Sequence, residues 1–321
     1  CTLGCFPTNC GSKGLYGSAL RDGGMNCIVN GVIHIAGVYS GSGTRSRRVA
    51  LPGIHSVWIE AAGWAGSEAM PPTEFAGSAL DLQNARFVNR TRMPGCGGVV
   101  LEQRWFAHRQ NRSMLVYEME LLSNTGNGTK DCVVKLTSCN KLNSTDVEIL
   151  SHNKAAGVES RVMRTKESEA SEIDLVTVAQ HFDSVPEQLT LTQGTSAVFV
   201  ATTRTSVSDE GIENARDPAA AAARDFAVAK ATPSSSLRQM HVKAWDDLRQ
   251  GRVEVGVANK PNKTMQAIAG AINSSFYYML SSIRDDWPGS YGTSPGGLAN
   301  CAYEGHTFWD SEEWWVLSLS L

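Results

Sequence analysis

No run of about 18 apolar residues occurs in the 321-residue sequence, so none of it reads as a membrane-spanning helix. Basic clusters are equally scarce. The formal net charge is −3, and the densest group of cations, Arg45, Arg47 and Arg48, is expected in a solvated loop, which argues against a nucleic-acid partner. None of the eight cysteines falls in a Cys-x-x-Cys pair, which disfavours a zinc ribbon or a thioredoxin-type site. Cys132 and Cys139 are candidates for a bridge, with free thiols as the alternative. No phosphate-cradling loop or dinucleotide fingerprint is present, and Gly41-Ser-Gly43 reads as a turn. His34, His55, His108, His152 and His181 show no metal-ligand spacing and read as core or surface histidines. Nothing here asks for a cofactor or a metal, and no repeat of fixed period is visible.

What is present is enough apolar content, 42% against 19% charged, to bury a core across one large or two ordinary domains. Asn89, Asn111, Asn127, Asn143, Asn262 and Asn273 each open Asn-x-Ser/Thr. That density leans towards a secreted or lysosomal route, with accidental sequons in a cytoplasmic protein as the bland alternative. The chain starts at Cys1 and ends on the apolar run Trp314 to Leu321, with no helix-stop signal, so it is expected to be the front part of a longer one.

The first two-thirds read as β. Asn30-Gly31 beside the alternating run Ile33 to Tyr39 is a hairpin signal. Further short runs follow at Val57 to Ile59, Leu115 to Leu121, Cys132 to Leu136, Leu175 to Ala179 and Ala197 to Ala201, and Lys166 to Glu172 reads as a solvated loop. Many short strands with polar turns suggest two packed antiparallel sheets. Near residue 209 the character changes. Asp217-Pro218 opens a helix carrying Ala219 to Ala223. A turn at 233–236 leads to a second helix, Leu237 to Arg249, with His241 and Trp245 on one face. Thr264 to Ile283 is a third, with Met265, Ile268, Ile272, Phe276, Met279 and Leu280 on one stripe. The acidic pairs Asp246-Asp247 and Asp285-Asp286 point apart on a helix and read as solvated.

The segment from Asp285 to Trp315 is dense in Gly, Pro, Trp and acids and reads as a long loop running into a helix. Aromatic rings beside carboxylates suit sugars: a pyranose stacks its apolar face on indole while Asp or Glu accepts from vicinal hydroxyls. The competing view makes Trp287, Phe308, Trp309 and Trp314 core aromatics. Asp310 and Glu312 lie two apart and face different ways on a helix, so they do not form an acid/base pair on one substrate.

Ser294-Pro-Gly-Gly-Leu298, then Tyr303-x-Gly-His-x-Phe-Trp-Asp-x-Glu312 and Trp314, resembles the signature of glycoside hydrolase family 65, most of all its animal branch. The likeness extends to His241-x-x-x-Trp245, to Ile272-Asn273-x-Ser-x-Tyr277-Tyr278 with Leu280-Ser281-Ser282, and more weakly to Gly37-Val38-Tyr39 and Leu51-Pro52. The resemblance implies a multidomain α and β chain. Residues 1–208 would form a galactose-mutarotase-like antiparallel β-sandwich, 209–250 a helical linker, and 251–321 the truncated start of an (α/α)6 catalytic barrel. It implies inverting cleavage of an α-glucosidic bond, with glucosyl-galactosyl-hydroxylysine on collagen-like protein as the favoured substrate. Trp309 and Asp310 would grip the glucose, Asp310 also being the candidate catalytic residue, essential for activity, while His306 and Glu312 shape the pocket or bind sugar. Inversion needs two carboxyl groups roughly 6.5–9.5 Å apart. The resemblance places both downstream of the chain's end, so these 321 residues alone are expected to be inactive. Acid trehalase or a disaccharide phosphorylase of the same family is the close alternative, and a non-catalytic carbohydrate-binding sandwich is the alternative from another class.

Overall fold

The computed structural model describes residues 3–6, 32–35, 38–122, 131–138, 144–170, 174–207, 216–250, 262–282 and 306–309. Short strands come first: β1 (Leu3–Phe6), β2 (Val32–Ile35), β3 (Tyr39–Ser40), β4 (Arg47–Arg48) and β5 (Leu51–Pro52). Next are β6 (Val57–Trp64), β7 (Glu74–Asp81), β8 (Arg86–Met93), β9 (Val99–Ala107), β10 (Met114–Leu121) and β11 (Asp131–Ser138). The series ends with β12 (Val147–Ala155), β13 (Val158–Thr165), β14 (Thr177–Asp183), β15 (Gln188–Thr192) and β16 (Ser196–Thr205). Three helices follow: α1 (Pro218–Ala231), α2 (Ser234–Arg249) and α3 (Lys263–Ser282). The chain is therefore mostly β in its first part, with few helices after it. Among the described residues no helix is long and apolar enough to cross a membrane.

The centre is an antiparallel eight-stranded sheet in the order β12-β13-β14-β16-β10-β9-β8-β7. Side chains alternate across a strand, and β10 shows both uses of that rule. Leu115, Tyr117, Met119 and Leu121 enter cores shared with two smaller sheets, while Met114 and Val116 turn the other way, under the helices. One shared core joins β8, β9 and β10 to the sheet β15-β11-β6, through Trp105, Tyr117, Val134 and Ile59. The second joins β13, β14 and β16 to the sheet β1-β2-β5, through Met163, Phe182, Ile33 and Leu51. Phe226 and Ala229 of α1 and Leu237 of α2 cover the opposite face.

Several sequence expectations change here. Val32–Ile35 pairs with β1 and β5, partners distant in sequence, and Asn30-Gly31 lies outside the described residues. Of the three arginines only Arg45 is exposed, in a 3-10 turn; the other two are not in a solvated loop. Arg47–Arg48 pairs with Tyr39–Ser40, Arg48 is 6% exposed, and Arg47 donates from Nε and Nη2 to Asp146 at 2.9 and 2.6 Å. Cys132 bonds to Cys96, not to Cys139, across a Cα separation of 6.0 Å that suits a bridge. Both are fully buried, and the bond ties the turn after β8 to β11 of the facing sheet. The Asn89 sequon is closed, because Asn89 is 1% exposed inside the core and donates to Gln103 Oε1 at 3.1 Å.

The helices start where local chemistry places them. Asp217 caps α1, accepting from the Ala220 amide at 2.9 Å, and Pro218 sits at the first position, where its missing N–H costs nothing. The serines at 234–236 are the first turn of α2 rather than a separate turn, since Pro233 stands at its N-cap. On α3 the expected stripe splits. Met265, Ile268 and Ile272 are exposed, while Leu280 is buried against Trp245 and Ala85, with Ala269 also buried. Asp246 and Asp247 face water, paired with Arg249 and Lys243.

Helix α2 grips the turn between β7 and β8. His241 donates from Nε2 to the Ala85 carbonyl at 3.0 Å, and Arg249 donates to the Leu82 and Gln83 carbonyls at 2.8 and 2.9 Å. His241 Nδ1 accepts from the Arg109 amide at 3.1 Å, so both ring nitrogens are used and the ring is neutral. His108 repeats the pattern, donating to the Leu237 carbonyl at 2.9 Å and accepting from the Asn111 amide. Burial pushes His241 down to about 3, and pushes His55, whose Nε2 faces the Asp183 carbonyl, down to about 4.

Two predictions follow from this packing. Non-reducing peptide mapping should recover a Cys96–Cys132 link, and Cys132→Ala should lower stability by about 3–4 kcal/mol through the lost loop closure; a Cys132–Cys139 link would contradict the structure. Below pH 6.5 the unfolded chain protonates its histidines while the folded His241 and His55 do not. Stability should therefore be full above about pH 6.5 and fall by about 1.4 kcal/mol per pH unit per histidine towards pH 4. Urea unfolding of His241→Gln should show lower stability at pH 7 by about 1–3 kcal/mol and a shallower acid slope; an unchanged slope would contradict the buried neutral ring.

Candidate functional site

Residues 306–309 return to the β-domain and lie against its first part. His306 stacks on Tyr39 of β3, with ring centroids 4.6 Å apart and planes 14° apart. Its Nε2 donates to the Ser46 carbonyl at 3.0 Å, across 260 residues of sequence. Its Nδ1 lies 3.6 Å from Glu169 Oε1, an ionic approach too long for a hydrogen bond. The Ser46 carbonyl is presented by a short 3-10 helix, Gly43–Arg45. Gly41 makes that turn possible: its φ is +97°, and a Cβ there would stand 2.4 Å from the Arg45 carbonyl oxygen.

Between these two segments is a pocket of about 510 Å³, lined by Gly43, Thr44, Ser46, Glu169, His306, Thr307 and Phe308. That size is ordinary for a small-molecule site. Its lining offers hydroxyls, one carboxylate and an aromatic ring. The Ser46 hydroxyl is buried without a hydrogen-bond partner among the described residues, an uncommon and costly state for a polar atom. Trp309, the residue after Phe308, is not part of the lining; it is 79% exposed, with its indole open to solvent. A smaller hollow of about 370 Å³ lies at the β7 edge, but its charges pair internally, Arg86 with Asp81 at 2.9 Å and Arg90 with Glu102 at 2.7 Å.

Of the four residues expected to carry the site, the structure describes two: His306, which lines this pocket, and Trp309, which does not. Asp310 and Glu312 lie outside the described residues, as do Ser294 to Leu298. The view of Trp309 as a core aromatic is overturned by its exposure, and Phe308 is also exposed. Sequence reasoning missed Thr44, Ser46 and Glu169. Glu169 sat in the stretch read as a solvated loop, and it meets His306 only through the fold.

The chain is 28% identical over 300 residues to a protein-glucosylgalactosylhydroxylysine glucosidase from Dictyostelium discoideum, covering 88% of this chain and 37% of that protein. It is 27% identical over 299 residues to the protein of the same name from Mus musculus, covering 89% and 39%. These glucosidases are homologues of the chain. A kojibiose hydrolase from Mucilaginibacter mallensis is 30% identical over 98 residues, or 30% of this chain and 13% of that protein. Among solved structures, a chain described as a kojibiose phosphorylase from the human microbiome superposes with a TM-score of 0.60 over 97% of this chain and 42% of its own, at 12% identity, which is a likeness of fold. No family model matches the chain. The chain thus spans well under half the length of the curated relatives it matches.

The geometry predicts that His306 is a fastening for the loop bearing Trp309. His306→Ala should speed amide exchange at 306–309 by tenfold or more, a loss of about 1–2 kcal/mol for a ring stack and one hydrogen bond. The β-sheet core should keep its protection. Unchanged exchange in the loop would contradict the fastening.

Proposed function

We propose that this protein serves the hydrolysis, with inversion, of an α-glucosidic bond, and that its substrate is glucosyl-galactosyl-hydroxylysine on a collagen-like protein. The observation that carries the reading is similarity to two glucosidases over nearly nine-tenths of the chain. It is supported by the exposed indole of Trp309, one residue along the chain from Phe308 in the lining of a pocket of about 510 Å³.

In this reading residues 1–208 are a galactose-mutarotase-like sandwich, 209–250 a helical linker, and 251–321 the opening of an (α/α)6 barrel. Trp309 stacks on the apolar face of the glucose, and the Asp310 carboxylate accepts from its vicinal hydroxyls. Asp310 is the residue on which activity depends most. Glu312 completes the sugar contacts, and His306 holds the loop in place. Inverting chemistry asks for one carboxylic acid to protonate the leaving oxygen and one carboxylate to activate water on the opposite face. Asp310 is assigned here to gripping the ring rather than to either of those steps. The Cys96–Cys132 bridge, buried between the sheets, supports an oxidising secretory compartment.

Calorimetric titration of the chain with glucosyl-galactosyl-hydroxylysine tests this reading. Asp310→Asn should weaken binding by tenfold or more, about 1.4 kcal/mol, and Trp309→Ala by a similar factor. Equal affinity in both variants, or no binding by the folded chain, would defeat the reading.

A further inference from the structure

Away from the candidate site, the central sheet buries a cation among unpaired polar atoms. Arg161 of β13 and Gln180 of β14 are direct partners in the ladder, so their side chains lie next to each other on one face. Both are enclosed, at 2% and 1% exposure. The face is the one that carries Phe182 into the core shared with β1-β2-β5, and the Arg161 guanidinium lies over the Phe182 ring, 4.6 Å from its centre. Among the described residues, Arg161 Nε and Nη1 and both polar atoms of the Gln180 amide have no hydrogen-bond partner. We propose that Arg161 and Gln180 bind a small monovalent anion of halide size on this inner face. The inference does not depend on the glucosidase reading.

The argument is one of charge as well as hydrogen bonds. An arginine stays protonated in a protein, so a buried one asks for a negative partner. Two carboxylates stand in this region, and both are committed elsewhere. Glu159 Oε2 is 3.7 Å from Arg161 Nη2, too long for a hydrogen bond. Glu159 meanwhile accepts from the Ser184 hydroxyl at 2.9 Å and pairs with Lys154 at 3.2 Å and His152 at 3.0 Å. Asp183 accepts from the Val200 amide at 2.9 Å and pairs with Lys230 at 3.0 Å. Each carboxylate has a lysine of its own, which leaves the charge of Arg161 uncancelled. Burial pushes the Arg161 guanidinium down from its ordinary range, the direction for a cation short of a counter-charge.

The surroundings select the kind of anion. Water would meet the hydrogen bonds and leave the charge as it is. A carboxylate or phosphate brings several oxygens, more than two guanidinium nitrogens and one amide nitrogen can serve in an enclosed place. A halide needs only those donors, and a guanidinium stacked on an aromatic ring is weakly hydrated, which makes it a suitable partner for one. His55 packs edge-on to the same Phe182, at 6.1 Å, but spends its Nε2 proton on the Asp183 carbonyl, so the neutral ring adds no donor.

Thermal unfolding of the chain in sodium chloride and in sodium gluconate, at equal ionic strength and pH 7.5, tests the site. Chloride should raise the midpoint by about 2–4 °C and saturate with concentration, as a ligand of the folded state does. Gln180→Leu should shift the half-saturating chloride concentration upwards by about tenfold, the loss of one hydrogen bond to a charged group, and Arg161→Met should abolish the difference between the two salts. If Arg161→Met does not fold, Gln180→Leu decides. Anomalous diffraction from crystals of the unsubstituted chain grown with sodium bromide should place a bromide between Arg161 and Gln180. Equal midpoints in the two salts, a chloride effect unchanged in Gln180→Leu, or a bromide-free position filled by water alone would overturn the inference.

Discussion

Three backbone carbonyls at one sheet corner, those of Leu82, Gln83 and Ala85, accept hydrogen bonds from His241 and Arg249, and the placement of the helices depends on them. The corner is also fastened from within. Asp81 accepts from the Asn84 amide, the Asn84 side chain and Arg86, which folds the turn back on itself. Ala85 sits at a φ of +51°, a left-handed conformation that costs a non-glycine residue about 1 kcal/mol. It persists because Ala85 is buried between Trp245 and Leu280 and its carbonyl is claimed by His241. Trp245 then stacks on Tyr277, with centroids 4.9 Å apart, and Arg109 donates to the Leu280 carbonyl, so α3 is fixed through the same corner.

A second fastening works at the other end of the β-domain, where the chain returns at His306. Both fastenings use a histidine that donates from Nε2 to a backbone carbonyl. Carbonyls of tight turns are good anchors, because their direction is set by the backbone and does not change when side chains repack. The β-domain in this account is a platform as well as a partner. It holds the helices at one corner and contributes Ser46 and Glu169 to the pocket beside another. Between these two points α2 is held by a charge placed out of water. Glu118 of β10 is fully buried, and burial pushes its carboxyl up while Arg238 of α2, 3.2 Å away, and Arg104 pull it back.

The elements legible in the sequence were those whose apolar pattern faces one way. Leu115 to Leu121 and Cys132 to Leu136 read as strands, and the alanine run after Pro218 read as a helix. Strand β8 was illegible because its inward face carries Asn89 and Thr91 and its outward face Arg90 and Arg92, so no alternation of apolar and polar residues marks it. Part of its polar interior is met from β9 and β10, where Gln103 accepts from the Asn89 side chain and donates to the Tyr117 hydroxyl, which is information held on other strands. The true partner of Cys132 was missed for the same kind of reason. Cys139 is near Cys132 in sequence, whereas Cys96 is near it only once the sheets pack. In the site, His306 and Trp309 were visible as members of a motif, while Glu169 and Ser46 had no local mark, since a pocket wall assembled from distant loops leaves no spacing to read.

The central claim is that the motif loop and the β-domain close on one sugar-sized pocket. A crystal structure of the chain with bound glucosyl-galactosyl-hydroxylysine tests it most directly. The account predicts the glucose ring against the Trp309 indole, with His306 still held on Tyr39 and the Ser46 carbonyl. Density for the sugar at a distance from that indole, with His306 released from Tyr39 and the Ser46 carbonyl, would contradict it.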